Sequence, residues 1–272
     1  MAEFLAHHLL EPFGILIERD FRVPLSAAER AALTPLLYRH GLVVARGQDL
    51  SLDQQCDLMS TFGPLLGNRA TVSYVAPDDG VFGTQALGFH SDLAFAPRPF
   101  DVISLHAVDV ADGETSTRFV DAAAAFGRLS AGLRDRLRGL TAAAVSSSAN
   151  GRVVGFDIPD SAHRCDRAAI LAHKVTGEPI LYVQEAQTAR FNELARADSD
   201  ALLADLFAVL YAPGGVLEHR WCRGDLVIWD NLRLQHARPA FAPGLPRRLQ
   251  RVVVAEQSLR EQIPDFRPGD PV

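Results

Sequence analysis

Short apolar runs alternate with amphipathic stretches at the start of the chain. Residues 13–18 form a brief apolar run that reads as a strand. Ser26 with Glu29 three positions on is a capping-box pattern that opens a helix, and Gly41 closes it. Leu42–Ala45 contains no polar residue and reads as a buried strand. Ser51 with Gln54 repeats the capping pattern and starts a second helix that ends near Gly63. Further on, strand patterns dominate. Residues 100–110 and 117–120 read as strands on either side of the turn-forming pair Asp112-Gly113. Residues 121–140, rich in Ala, Leu and Arg, read as one long helix, and 141–151 as a mobile loop. A turn at 175–179 separates two short β-like runs, the second at 180–183. A helix over 198–211 is closed by Pro213-Gly214-Gly215. Three β-like runs follow at 216–221, 225–229 and 249–256.

Helices and strands do not alternate regularly, so a parallel doubly wound sheet fits poorly. Neither GxGxxG nor GxxxxGK[ST] occurs, which removes the common phosphate-cradling loops. Many short strands with inserted and flanking helices predict a mainly β fold, a double-sheet sandwich or jelly roll. No repeat or low-complexity linker divides the 272 residues, which are read as a single domain.

Composition narrows the function. Hydrophobic residues make up 48% and charged residues 22%, an ordinary globular balance that excludes fibrous or disordered classes. A net charge of −6 argues against non-specific nucleic-acid binding, which needs clustered cations on the surface. The one tight basic cluster, Arg247, Arg248 and Arg251, sits in an apolar run and suits an internal anion site. Cys56, Cys165 and Cys222 are far apart and form no CxxC pair, so neither a disulfide framework nor a structural zinc site is expected. Residues 1–18 lack a basic-then-apolar leader pattern, and no stretch approaches a membrane span. The expectation is a cytoplasmic protein with no membrane partner.

Candidate chemistry begins at Phe89-His90-Ser91-Asp92. If that segment is extended, alternation points His90 and Asp92 to one face, where an imidazole and a carboxylate can take adjacent positions around a cation. His236, after the 225–229 run and the turn-like Asp230-Asn231, is the natural third ligand. Two histidines and one carboxylate form the facial triad of non-haem iron oxygenases, which leaves coordination sites open. Zinc more often takes a tetrahedral site with one water. An HxD triplet alone is weak, because nine histidines make one by chance unsurprising. The constellation says more. Arg247 lies eleven residues after His236 and Arg251 four further on, a spacing that shares a strand face. Both guanidiniums could then enter one cavity, where a bidentate arginine is the preferred partner for a buried carboxylate. Arg248 would face the other way.

Three segments bring a known family into view: Gly88-Phe-His-Ser-Asp-Leu-Ala-Phe95, Gly113-Glu-Thr-Ser-Thr-Arg-Phe-Val-Asp121, and Gly224-Asp-Leu-Val-Ile-Trp-Asp-Asn-Leu-Arg-Leu-Gln-His236. With Arg247 and Arg251 they resemble the WHSDxSF, GGDTxFxD and GDLxxWDNxxxxH segments of the taurine dioxygenase (TauD/TfdA-like) family. Those enzymes are Fe(II)/2-oxoglutarate-dependent dioxygenases. Weaker similarity through 181–190 and the helix–strand–helix start extends the resemblance over nearly the whole chain. It implies a double-stranded β-helix, the jelly roll with flanking helices. It implies that His90, Asp92 and His236 bind iron, that Arg247 pairs with the distal carboxylate of 2-oxoglutarate, and that Thr117 hydrogen-bonds one of its carboxylates. The equivalent of Arg251 in several members meets an acidic substrate group or the carboxylate near the metal. The co-substrates would be 2-oxoglutarate and O2, the products succinate, CO2 and a hydroxylated small, acidic organic molecule. Because Asp92 is present, oxygenation is favoured over halogenation. Family members commonly form dimers or tetramers, so a homo-oligomer is the default expectation.

Departures from the taurine-specific pattern concern the substrate. Asn68 stands where such members have a histidine, Ala86 where they have an asparagine, and Gln187 where a pocket phenylalanine lies. These changes make taurine itself doubtful. A shortened segment around 141–172 would form part of a lid. The Asp230–His236 pattern also occurs in natural-product oxygenases, so desaturation, cyclisation or isonitrile formation stands as an alternative. A zinc hydrolase on the same triad and a non-catalytic jelly roll are more distant ones; Arg247 and Thr117 speak against the first, the intact triad against the second.

Overall fold

A computed structural model describes residues 5–66, 73–77, 83–146, 156–158 and 162–265. In chain order the elements are β1 (His7–Leu9), β2 (Ile15–Ile17), α1 (Ala27–His40), β3 (Leu42–Ala45), α2 (Leu52–Met59), β4 (Ser73–Val75), β5 (Leu87–His90), β6 (Val102–Val110) and β7 (Ser116–Asp121). Then come α3 (Ala122–Arg128), α4 (Ala131–Arg136), β8 (Thr141–Val145), β9 (Arg164–Ala168), β10 (Ile170–Ala172), β11 (Pro179–Leu181), β12 (Thr188–Phe191) and α5 (Arg196–Leu210). The chain closes with β13 (Val216–Arg220), β14 (Leu226–Asp230), β15 (Leu234–Arg238), β16 (Arg247–Val254) and α6 (Leu259–Gln262).

Local chemistry accounts for the opening. The Ser26 and Ser51 side chains accept from the Glu29 and Gln54 amides, and both boxes are reciprocated. Gly41 ends α1 at φ 75°, a conformation open to glycine at little cost. The second helix stops at Met59, short of the expected Gly63.

Among the described residues, β1-β2-β3-β14-β6-β16-β4 form a large sheet, antiparallel except for the β2–β3 pair. A smaller antiparallel sheet runs β13-β7-β15-β5. The two pack face to face as a jelly roll. Leu105, Ala107, Leu249 and Val253 of the large sheet meet Phe119, Leu217 and Leu234 of the small one. The outer face of the large sheet lies under α1 and α2, where Leu33, Leu37 and Met59 cover Val43, Ile228, Val252 and Val254. A third cluster joins α3 and α5 to β11 and β12. Each such side chain contributes roughly 1.5–3 kcal/mol on burial. A charge placed between the sheets is costly against that background unless something pairs with it.

Two expectations of element type fail. Residues 121–140 are not one helix: Leu129 is extended, and Ser130 caps a fresh start by accepting from the Leu133 amide. Composition favoured helix there, but Ser130 is a stronger local signal. Nor is 141–151 a loop from its start, because β8 pairs with both β9 and β12; residues 147–151 lie outside the described residues. The final strand begins at Arg247 and ends at Val254, two residues earlier at each end than expected. No helix among the described residues is long and apolar enough to cross a membrane. None of the three cysteines, all among the described residues, is in a disulfide.

Candidate metal centre and adjoining cavity

Strand pairing creates the site. β5 and β15 run antiparallel with His90 opposite His236, so the two imidazoles come together with ring centroids 4.2 Å apart. His236 lies on a strand of its own, where only a position after a strand was expected. Asp92 arrives by a turn, not by alternation: β5 ends at His90, and the chain folds back with Ala94 N–H donating to the Ser91 carbonyl. Leu93 takes φ 60°, which costs a non-glycine residue on the order of 1 kcal/mol. Asn231 pins this turn, accepting from the Asp92 amide at 2.9 Å and donating to the Asp92 carbonyl at 3.0 Å. Ser91 is held from both sides, its amide donating to Gln184 and its hydroxyl to the Leu234 carbonyl.

The donor atoms converge. Asp92 Oδ1 lies 3.5 Å from His90 Nε2 and 3.5 Å from His236 Nε2, and all three fall within 4.8 Å of one another. His90 Nδ1 is 2.8 Å from the Gly88 carbonyl. A carbonyl only accepts, so that nitrogen carries a proton and Nε2 is the atom that faces the centre. Burial, with His90 adjacent, pushes His236 down to about 3, leaving it a neutral imidazole. Burial alone would raise the Asp92 carboxyl, but the Arg251 guanidinium and the two histidines outweigh it and hold it well below the usual range. Two imidazoles and one carboxylate, already desolvated and aimed at one point, fit a divalent cation and leave much of its coordination sphere open.

Behind the triad lies a cavity of about 320 Å³ between the two sheets. The extra residue in the β6–β16 register, Val108, belongs to β6, so β16 keeps its alternation and sends Arg247 and Arg251 inward. Arg247 is only 3% exposed, with Nη2 3.5 Å from Thr117 Oγ1. Arg251 donates through Nη2 to Asp92 Oδ2. Arg248 faces outward over the Tyr74 ring at 4.1 Å, as the alternation requires. Leu66, Val75, Leu87, Leu93 and Leu259 supply apolar walls. Trp229 lines the cavity and packs 5.1 Å from His236, whereas Phe89 points away and stacks on Tyr211 at 4.5 Å.

The substrate candidates fare unevenly. Gln187 lines the cavity, is buried, and its Oε1 accepts no hydrogen bond among the described residues. Ala86, just before β5, is exposed and does not line the cavity. Asn68 lies outside the described residues. Besides the apolar walls, a charged cavity residue was missed: Arg238, buried, donates to the Gln85 carbonyl and sits over Phe241. Its signal was available, since it follows His236 by two positions on the same strand face.

Two facing sheets with a two-histidine, one-carboxylate cluster between them define a jelly-roll protein built around a metal centre. The model of the taurine catabolism dioxygenase TauD, TfdA family matches residues 7–253, and the chain belongs to this family of 2-oxoglutarate-dependent dioxygenases, which use Fe(II), 2-oxoglutarate and O2. It is 30% identical to pentalenolactone F synthase of Streptomyces arenae over 65% of this chain and 64% of that one, so it spans under two thirds of that relative. It is 26% identical to the alpha-ketoglutarate-dependent 2,4-dichlorophenoxyacetate dioxygenase of Cupriavidus pinatubonensis over 88% of this chain and 93% of that enzyme. The fold is shared with the crystal structure of AAD-2 in complex with Mn(II) and N-oxalylglycine, at TM-score 0.80 and 23% identity, covering 93% and 98% of the two chains.

Proposed function

We propose that this protein oxidises a C–H bond of a small, acidic organic molecule, with 2-oxoglutarate converted to succinate and CO2. The observation that carries the reading is the convergence of His90, Asp92 and His236 beside a cavity that also holds Thr117 and Arg247. In this reading His90 Nε2, Asp92 Oδ1 and His236 Nε2 hold Fe(II). Arg247 and Thr117 receive the distal carboxylate of 2-oxoglutarate deep between the sheets, where a charge-assisted pair is strong. When bound, iron and 2-oxoglutarate supply the oxygen chemistry, one oxygen atom ending in succinate and the other in the product.

The protein's own contribution is placement and exclusion. Asn231, Gln184 and the Leu234 carbonyl fix the Asp92 turn, so the ligands need little reorganisation. The leucine walls seat an apolar substrate body and keep water from the reacting bond. Arg251 meets an acidic group, and the Gln187 amide offers one polar contact. Lining of this kind suits a compact acid with a hydrocarbon or aryl body better than taurine. The likeness to pentalenolactone F synthase supports a second reading, a biosynthetic oxygenase that desaturates or cyclises.

Uncoupled turnover tests the reading. Purified protein with Fe(II) and 2-oxoglutarate should form succinate only when O2 is present, and His236→Ala should reduce it to background. Succinate formed equally without iron refutes it. Screening sulfonates, aryloxy acids and amino acids for stimulated succinate release then separates the substrate classes.

A further inference from the structure

Trp221 follows β13, is completely buried and belongs to the core between the sheets. A buried indole N–H needs an acceptor. Here Trp221 Nε1 donates to Thr117 Oγ1 at 3.0 Å. A threonine hydroxyl has one donor and two acceptor positions. The indole takes one acceptor position, and Arg247 Nη2, 3.5 Å away, faces the other. What remains to Thr117 is its O–H, which donates to nothing among the described residues although Thr117 is 3% exposed. The indole therefore dictates what the hydroxyl can do: it cannot accept further and must offer its proton to an acceptor in the cavity.

The indole is itself braced. His219, opposite Thr117 across the β13–β7 pair, packs edge-on against the Trp221 ring with centroids 4.6 Å apart. His219 Nε2 lies 3.1 Å from Asp225 Oδ2, and that carboxylate also receives the Cys222 amide and the Arg46 guanidinium. Gly224, at φ +80°, brings the Asp225 turn within a methyl's width of the Gln48 backbone, so the carboxylate is fixed in turn.

We propose that Trp221 is a positioning residue for the dicarboxylate co-substrate: it saturates Thr117 as an acceptor and so aims the Thr117 hydroxyl, as a donor, at the carboxylate that Arg247 binds. The assignment rests on the 2-oxoglutarate reading above and goes beyond it, since Trp221 touches neither metal nor co-substrate. Freed from the indole, the hydroxyl rotates among orientations, and the binding strength, not the chemistry, suffers.

The test uses the Fe(II)-loaded protein under anaerobic conditions, with 2-oxoglutarate as probe by calorimetry. Trp221→Phe keeps the ring and removes the N–H. It is expected to raise the 2-oxoglutarate Kd and KM about tenfold, the scale of one lost buried hydrogen bond. Saturated kcat and Fe(II) affinity should stay within about twofold, the conventional scatter of such comparisons. Thr117→Val should weaken binding by at least as much, and adding Trp221→Phe to it should cost nothing more. Unchanged 2-oxoglutarate affinity in Trp221→Phe, or full additivity of the two changes, overturns the assignment. A wild-type protein that binds no 2-oxoglutarate contradicts the functional reading and the assignment together. If Trp221→Phe does not fold, indole ¹⁵N–¹H spectra of the Zn(II)-loaded wild type decide. The chain has two tryptophans, separable with Trp229→Phe. The Trp221 signal should move on adding 2-oxoglutarate, and a stationary signal overturns the proposal.

Discussion

The two faces of β16 make the same demand and meet it in opposite ways. Both carry buried polar side chains between layers of hydrocarbon. Outward, Gln250 Nε2 donates to Gln55 Oε1 at 2.7 Å, and Gln55 Nε2 donates to Ser104 Oγ at 2.9 Å. These groups answer one another's hydrogen bonds, and Gln250 also borders a separate cavity lined by Gln48 and His106. Inward, Arg247 and Arg251 converge with Thr117, Asp92 and the two histidines around a cavity. Equal burial therefore does not distinguish scaffold from site. What distinguishes them is whether the polar groups close on each other or on a volume that a ligand can fill.

Breaking the inner face should cost binding and spare folding. Arg247→Ala is expected to raise the 2-oxoglutarate Kd about 100-fold, the scale of lost charge-assisted hydrogen bonds, as calorimetry would show. A comparable fall in stability with unchanged affinity would make Arg247 a scaffold residue. Breaking the outer face should do the reverse. Gln250→Leu strands Gln55 without its partner and should lower unfolding free energy by about 1–3 kcal/mol in urea titrations. Its 2-oxoglutarate affinity should hold within about twofold, the scatter expected of independent sites.

Arg251→Ala sharpens the inner face further. It should weaken an acidic substrate about tenfold, on the order of 1.4 kcal/mol, while iron stays bound. Unchanged substrate affinity removes the case for an acid. The smallest effect belongs to Arg248→Ala, which loses only an exposed contact over Tyr74 and should cost about 0.5–1 kcal/mol in the same urea titration, with no change in co-substrate binding.

Legibility followed the range of the interactions. The capping boxes at Ser26 and Ser51 and the buried run Leu42–Ala45 could be read directly, because neighbours within four residues decide them. The inward pair Arg247 and Arg251 was legible from alternation alone, since the register slip falls on β6. His236 opposite His90 was not derivable from spacing, because cross-strand register depends on contacts far apart in sequence. The Asp92 turn was missed for a related reason: Asn231, distant along the chain, holds it. The broken helix at Ser130 was a local signal outweighed by composition. Trp221 is the plainest case, since nothing in its neighbourhood announces that its N–H ends on Thr117.

The triad and the arginine floor should act as one unit, and a single spectroscopic titration tests that most directly. Fe(II)-loaded protein under anaerobic conditions, titrated with 2-oxoglutarate, should develop a visible metal-to-ligand charge-transfer absorption that saturates at one equivalent. His236→Ala should show none, and Arg247→Ala should reach it only at much higher concentration. A wild-type protein that binds 2-oxoglutarate without that absorption, or binds it equally well without iron, would contradict a shared site for metal and co-substrate.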